Sequence, residues 1–116
     1  MPIVFAAISP HPPIFLPSIG SKKDQEQVKK TIENLELLGE KLKEKNTDSI
    51  IISSPHSDWG FNVPLFFLAK DFKGEIEKIL IGSESPEFYF KEGKKFYKLK
   101  IENLKLKIDL IASGDL

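Results

Sequence analysis

Short, mainly apolar runs along this chain alternate with stretches that have a helical pattern. Runs at residues 3–8 and 49–53 are typical of strands buried on both faces of a parallel sheet, and runs at 76–82 and 107–113 predict two further strands. Over residues 24–45, apolar side chains recur at intervals of three and four, which predicts an amphipathic helix. This order predicts one α/β layered domain, with a mainly parallel four-stranded sheet flanked by helices.

Two shorter helices are predicted in the second half of the chain. Pro64 suits the first position of a helix over 64–72, because a residue there needs no backbone N–H. Ser85 and Pro86 have the pattern of an N-cap and a first helical residue. The sequence "YKLKIENLKLK" that follows also alternates with period two around residues 102–103, so a β-hairpin is the alternative. The cap and the strand–helix order favour the helix.

Composition narrows the possible functions mainly by exclusion. The 17 basic and 17 acidic side chains cancel, so no net field favours nucleic acid or an anionic membrane. The absence of cysteine excludes disulfides and thiolate metal sites. The first residues lack the pattern of a signal peptide, and no apolar run approaches the ~20 residues of a membrane span. We therefore expect a single cytoplasmic domain over residues 1–116 that binds neither nucleic acid nor a membrane.

The chain has two histidines, and each follows a strand-like run within a Ser-Pro-His sequence. His11 lies in "ISPHPP" and His56 in "ISSPHSDWG". Ligands bind outside the carboxyl ends of parallel strands, so both rings are expected at the functional edge of the sheet. Two imidazoles are one carboxylate short of the two-His, one-carboxylate site of non-haem Fe(II) enzymes. The alternative is that each histidine only bonds the backbone of a proline-rich turn, and the pattern leaves both interpretations open.

Further polar and aromatic residues near the predicted strand ends are candidates for contact with a substrate or with the metal ligands. They are Pro12, Asp58, Trp59 and Asp115. Asp58, Asp115 and also Glu84 could supply oxygen ligands, although a solvated or capping carboxylate is the simpler interpretation. Trp59 could contact an aromatic small molecule, or it could only cover the end of the sheet.

Five segments, "FAAISPHPPIFLPSIG", "IIISSPH", "VPLFFL", "SPEFYFKEGKKF" and "IASGDL", occur in this order and touch nearly the whole chain. Together they resemble the class III extradiol ring-cleavage dioxygenases of the subunit-B-like family. The resemblance implies Fe(II) near the strand ends, held by two histidines and a glutamate, with O2 and a catechol bound side by side. By motif, His11 and His56 correspond to the two metal histidines, and each proline corner would aim one imidazole at a shared ion.

The sequence also departs from that family. There, Ser-Gly-Asp-Leu runs into a Ser-His pair whose histidine is the expected acid/base, and the metal glutamate lies farther downstream. A longer segment also precedes "VPLFFL" in the family, and Trp59 stands where a further active-site histidine would fall.

We therefore expect a partial site for Fe(II) or another divalent ion such as zinc, weakly bound, in a chain that is inactive alone. A second copy of the chain, or a partner chain, would supply the missing groups. The alternative is a non-catalytic, self-associating interaction domain in which the histidines are structural and no cofactor is bound.

Overall fold

The computed structural model of the protein describes residues 3–16, 21–102 and 105–114. Asp115 therefore lies outside the described residues. The strands are β1 Ile3–Pro10, β2 Ser49–Ser54, β3 Glu75–Leu80 and β4 Ile108–Gly114. The helices are α1 Lys22–Gln27, α2 Lys29–Glu44, α3 Trp59–Leu68 and α4 Pro86–Phe96. A 3-10 turn covers Pro13–Phe15, and a π-helical turn covers Tyr97–Ile101.

The four strands form one sheet in the order β1-β4-β2-β3, and all three neighbouring pairs are parallel. The predicted α/β domain, with a four-stranded sheet flanked by helices, is confirmed. The strand order was not predicted: β4, the last strand in the chain, lies between the two strands that precede the histidines. In this register Ser113 of β4 pairs with Ser9 of β1, while the preceding Ala112 pairs with Ser53 of β2.

Helices α2 and α3 cover one face of the sheet. Alternate residues of each strand point to this face and pack against the two helices. The largest core cluster joins both helices to β2 and β4 and consists of Leu42, Ile50, Ile52, Phe61, Leu68 and Ile111. A second cluster beneath the 3-10 turn consists of Phe15, Leu16, Leu35, Val63 and Phe67. On the opposite face Ile51 and Ile108 pack with residues of α4 and of the π-helical turn.

The predicted single helix over 24–45 is two helices. The first begins earlier because Ser21 and Asp24 form a capping box, in which each side chain accepts the backbone N–H of the other residue. Regular helical geometry is interrupted at Val28, which has φ −110° and ψ 16° and packs against the cluster around Leu35. The register of the apolar stripe is otherwise as predicted, with Leu35 and Leu42 buried.

The prediction of a helix over 64–72 is wrong in its bounds. The helix begins at Trp59, and Pro64 lies inside it rather than at its first position. Phe61 and Val63 are buried in the core. Because the helix begins before them, their backbone groups form hydrogen bonds within the helix and are not left unpaired in the core. This early start brings the helix up to the carboxyl end of β2.

The predicted cap of α4 is confirmed. Pro86 is the first helical residue, and the Ser85 hydroxyl accepts the backbone N–H of Phe88 at 3.1 Å. The chain then continues as a π-helical turn over Tyr97–Ile101, so this segment does not form the alternative hairpin. Within the described ranges, no helix is both long and apolar enough to cross a bilayer.

Candidate metal centre

The two histidines lie at the carboxyl edge of the sheet, directly beyond β1 and β2. Because β4 separates these strands, their axes are about 9–10 Å apart. The ring centroids of His11 and His56 are nevertheless only 5.0 Å apart, with the planes inclined at 86°. The two corners therefore converge in front of the end of β4, as a shared site requires.

This ring separation can be compared with that of two imidazoles bound to one ion. With metal–nitrogen bonds of about 2.0–2.1 Å, an ion lies about 3.2 Å from each ring centroid. Ligand angles of about 90–110° then place the centroids roughly 4.5–5.2 Å apart. The observed 5.0 Å falls in this range, so the two rings fit a shared ion. An edge-to-face ring contact has a similar separation of about 4.5–7 Å, so distance alone does not separate the two interpretations.

The His11 ring is buried, with only 3% of the residue exposed. Its Nδ1 atom lies 2.7 Å from the hydroxyl oxygen of Ser113 at the end of β4. Ser113 was not among the residues predicted for the site, although it lies in the quoted segment "IASGDL". The signal that could have found it is the strand order, since the residue matters only when β4 lies beside β1.

The His56 corner is held through its backbone. The Ser54 hydroxyl accepts the backbone N–H of His56 and donates to the carbonyl of His56, both at 3.0 Å. In the other corner, the Ser9 hydroxyl donates to the carbonyl of Pro10 at 3.0 Å. The two Ser-Pro-His sequences thus build different hydrogen bonds, and the His56 residue stays exposed while His11 is buried.

A cleft of about 490 Å³ contains both rings and three of the other predicted residues. It is lined by His11, Pro12, Pro13, His56, Ser57, Asp58 and Trp59. Trp59 is the first residue of α3 and is 41% exposed, so it forms a wall of the cleft rather than core. Asp58 occupies the N-cap position of that helix, but its side chain makes no capping hydrogen bond. Glu84 does not line this cleft.

A third protein ligand does not accompany the two histidines among the residues that the structure describes. No group of three His, Cys, Asp or Glu side chains is arranged there to hold an ion. Asp58 shares the cleft without completing such a group. An ion held by the two rings alone would have solvent in its remaining coordination positions, and such an ion is weakly held.

A buried carboxyl group, which was not predicted from the sequence, lies at the opposite edge of the sheet. Asp109, near the start of β4, is fully buried, and its Oδ2 atom accepts the Thr47 hydroxyl at 2.6 Å. Burial raises the pKa of Asp109, although the Thr47 hydrogen bond and the charge of Lys45 act in the other direction. A strand length separates this group from the histidines, so it affects stability rather than the metal centre.

No protein-family model matches this sequence, and comparisons with curated proteins and with solved structures also find no match. The resemblance to extradiol dioxygenases therefore stays a prediction that rests on the quoted segments. Any functional proposal must be supported by the geometry of the cleft itself.

Proposed function

We propose that this chain binds a divalent metal ion, Fe(II) or zinc, between His11 and His56. The observation that supports this most is the 5.0 Å separation of the two rings at the carboxyl edge of a parallel sheet. Because Nδ1 of His11 contacts Ser113, this histidine would bind the ion through Nε2. An ion at this position supplies Lewis-acid chemistry, and with iron it also supplies chemistry with O2.

The proposed site is the partial centre of an extradiol-dioxygenase-like domain. The cleft is large enough for a small ligand, and Pro12 and Trp59 give it flat apolar walls suited to an aromatic ring. The chain has no third histidine that could act as an acid or base, and Asp58 is the one carboxylate that lines the cleft among the residues that the structure describes. A partner chain or a second copy would complete the ligand set. We place the protein in the cytoplasm, in agreement with a sequence that contains no cysteine.

The test is metal binding by the purified chain. The protein is dialysed to equilibrium against buffer that contains zinc or, anaerobically, Fe(II), and the excess metal retained with the protein is measured by elemental analysis. We expect up to one ion per chain, with the affinity measured by titration calorimetry. His11→Ala and His56→Ala should each abolish retention, while Glu84→Ala, a carboxylate outside the cleft, should leave it unchanged. Equal metal binding by the wild type and both histidine variants would refute the proposal.

A self-associating interaction domain is the second candidate, and the edges of the sheet favour it. The outer strand β1, "IVFAAISP", has no charged residue, whereas the other edge strand β3, "EIEKIL", has three. Charged side chains protect an edge strand against pairing, so β1 is the exposed edge suited to a second copy. Ile8 of β1 is 68% exposed, beside an apolar groove of about 810 Å³ between the sheet and α4. Two copies would pair through antiparallel β1 strands across a two-fold axis.

Metal content and solution mass together separate the two candidates. Metal-free protein that forms a stable dimer would support self-association, and retained metal would support the metal centre, whether the chain is a monomer or a dimer. Ile8→Lys should dissociate a β1-paired dimer, whereas Ile76→Lys on the charged edge strand should not. Metal-free protein that stays monomeric at high concentration in sedimentation equilibrium would contradict the second candidate.

A further inference from the structure

Ser113 is the residue through which the sheet itself contacts the candidate metal centre. It lies one residue before the end of β4, and only 8% of it is exposed. Its hydroxyl oxygen is 2.7 Å from Nδ1 of His11, across 102 residues of sequence. Ser113 also pairs with Ser9, two residues before His11, so backbone and side-chain contacts fix the same corner.

The direction of this hydrogen bond decides which nitrogen of His11 can bind an ion. A neutral imidazole carries one N–H and one nitrogen with a free electron pair, and only the latter ligates a metal. A serine hydroxyl can either donate to Nδ1 or accept from it. If it donates, the proton of the ring stays on Nε2 and blocks metal binding there. If it accepts, Nε2 is the ligating nitrogen.

We infer that Ser113 accepts the Nδ1–H of His11 and thereby holds the ring in the tautomer that binds metal through Nε2. This inference rests on the proposed function, because the ion is what requires the electron pair on Nε2. Two atoms bound to one ion at about 2.0–2.1 Å, with an angle of about 90–110° between the bonds, lie about 2.8–3.4 Å apart. The 2.7 Å between Nδ1 and the hydroxyl oxygen is shorter than this and is typical of a hydrogen bond, so the ion is not held between these two atoms. Ser113 is therefore a positioning residue that acts through His11.

The neighbouring strands explain why this position is well suited to the role. β4 is an inner strand with a hydrogen-bonded neighbour on each side, so its end is held more firmly than an edge or a loop. Metal-bound histidines commonly donate their second ring N–H to a fixed acceptor, and loss of that acceptor costs about 10–100-fold in metal affinity. Ser113 has the geometry of such an acceptor for His11.

The experiment compares Ser113→Ala, Ser113→Thr and Ser53→Ala with the wild type. Ser53→Ala is the matched control, because Ser53 lies near the carboxyl end of the adjacent strand but lines the groove on the opposite face. Zinc affinity is measured by calorimetry. The tautomer is read in the metal-free, folded protein from long-range 1H–15N spectra, with the His11 signals assigned by their loss in His11→Gln.

We expect His11 of the wild type to carry its proton on Nδ1. Ser113→Ala should mix the tautomers and weaken zinc binding by about 10–100-fold. Ser113→Thr, which keeps the hydroxyl, should restore both properties, and Ser53→Ala should change neither. A wild-type ring protonated on Nε2, or a Ser113→Ala variant with unchanged tautomer and affinity, would overturn the inference. If no variant binds zinc but the tautomer still depends on Ser113, the proposed function fails while the positioning role stands.

Discussion

The contact between α3 and the His56 corner predicts that Gly60 cannot be replaced without loss of stability. A Cβ atom at Gly60 would overlap the Ser54 hydroxyl and lie 2.9 Å from the Ser54 Cβ. Both atoms are buried at the end of β2, so one of the two elements must shift. Overpacking of this kind costs about 1–3 kcal/mol.

The same substitution would also disturb the two hydrogen bonds between Ser54 and the backbone of His56. Each such bond contributes about 0.5–1.5 kcal/mol, while alanine recovers up to about 1 kcal/mol of helix propensity over glycine. We therefore expect Gly60→Ala to lower the free energy of unfolding by about 1–5 kcal/mol.

Gly93 offers a matched control, because it also lies in a helix but a Cβ atom there would meet nothing within 4 Å. Gly93→Ala should raise the free energy of unfolding by about 0.5–1 kcal/mol. Urea unfolding followed by circular dichroism measures both variants, with the slope compared to confirm two-state behaviour. A Gly60→Ala variant as stable as Gly93→Ala would show that the helix does not approach the corner as closely as described.

Three further predictions concern other parts of the chain. Because burial raises the pKa of Asp109, its contribution to stability is complete below the ordinary pKa of aspartate and is lost as pH rises through the raised value. Asp109→Asn should flatten this fall in urea midpoints measured at successive pH values above the ordinary pKa of aspartate, whereas Asp71→Asn, at an exposed position, should leave the fall unchanged. Ser85→Ala removes the cap of α4 and should cost about 1 kcal/mol in thermal or urea unfolding, with Ser83→Ala as a neutral control. The isolated chain, loaded with Fe(II) in air, should not open the ring of protocatechuate at a useful rate, because its described residues offer neither a third metal ligand nor a histidine base. A yellow ring-opened product that is formed by the wild type and not by His11→Ala would contradict this prediction.

The elements of this fold were predictable where a local pattern decides them. Apolar runs fix the four strands, and the serine and proline at residues 85–86 fix the start of α4, because capping depends only on neighbouring residues. Pro64 does not mark the start of α3, because the preference of proline for the first helical turn is weaker than the gain from burying Phe61 and Val63. The start of this helix near the site is set by burial of side chains in the core, which cannot be predicted from a local sequence pattern.

The candidate site also has residues that could be predicted from a local pattern and one that could not. His11 and His56 could be predicted, because their Ser-Pro-His sequences follow strands and parallel strands end at one edge. Ser113 could not, because its contact with His11 depends on β4 entering the sheet between β1 and β2. Strand order is set by which faces the connecting helices cover, and this information is spread over the whole chain.

The unequal support of the two histidines has a consequence for the proposed binding of a metal ion. The His11 ring is buried and held by the side chain of Ser113, so little conformational entropy remains for it to lose. His56 is exposed, and Ser54 fixes its backbone. Ordering an exposed side chain on binding costs about 0.5–1.5 kcal/mol, and this cost falls mainly on His56. A partner surface that covered His56 would remove that cost before the ion arrives, so association over the cleft and metal binding would strengthen each other.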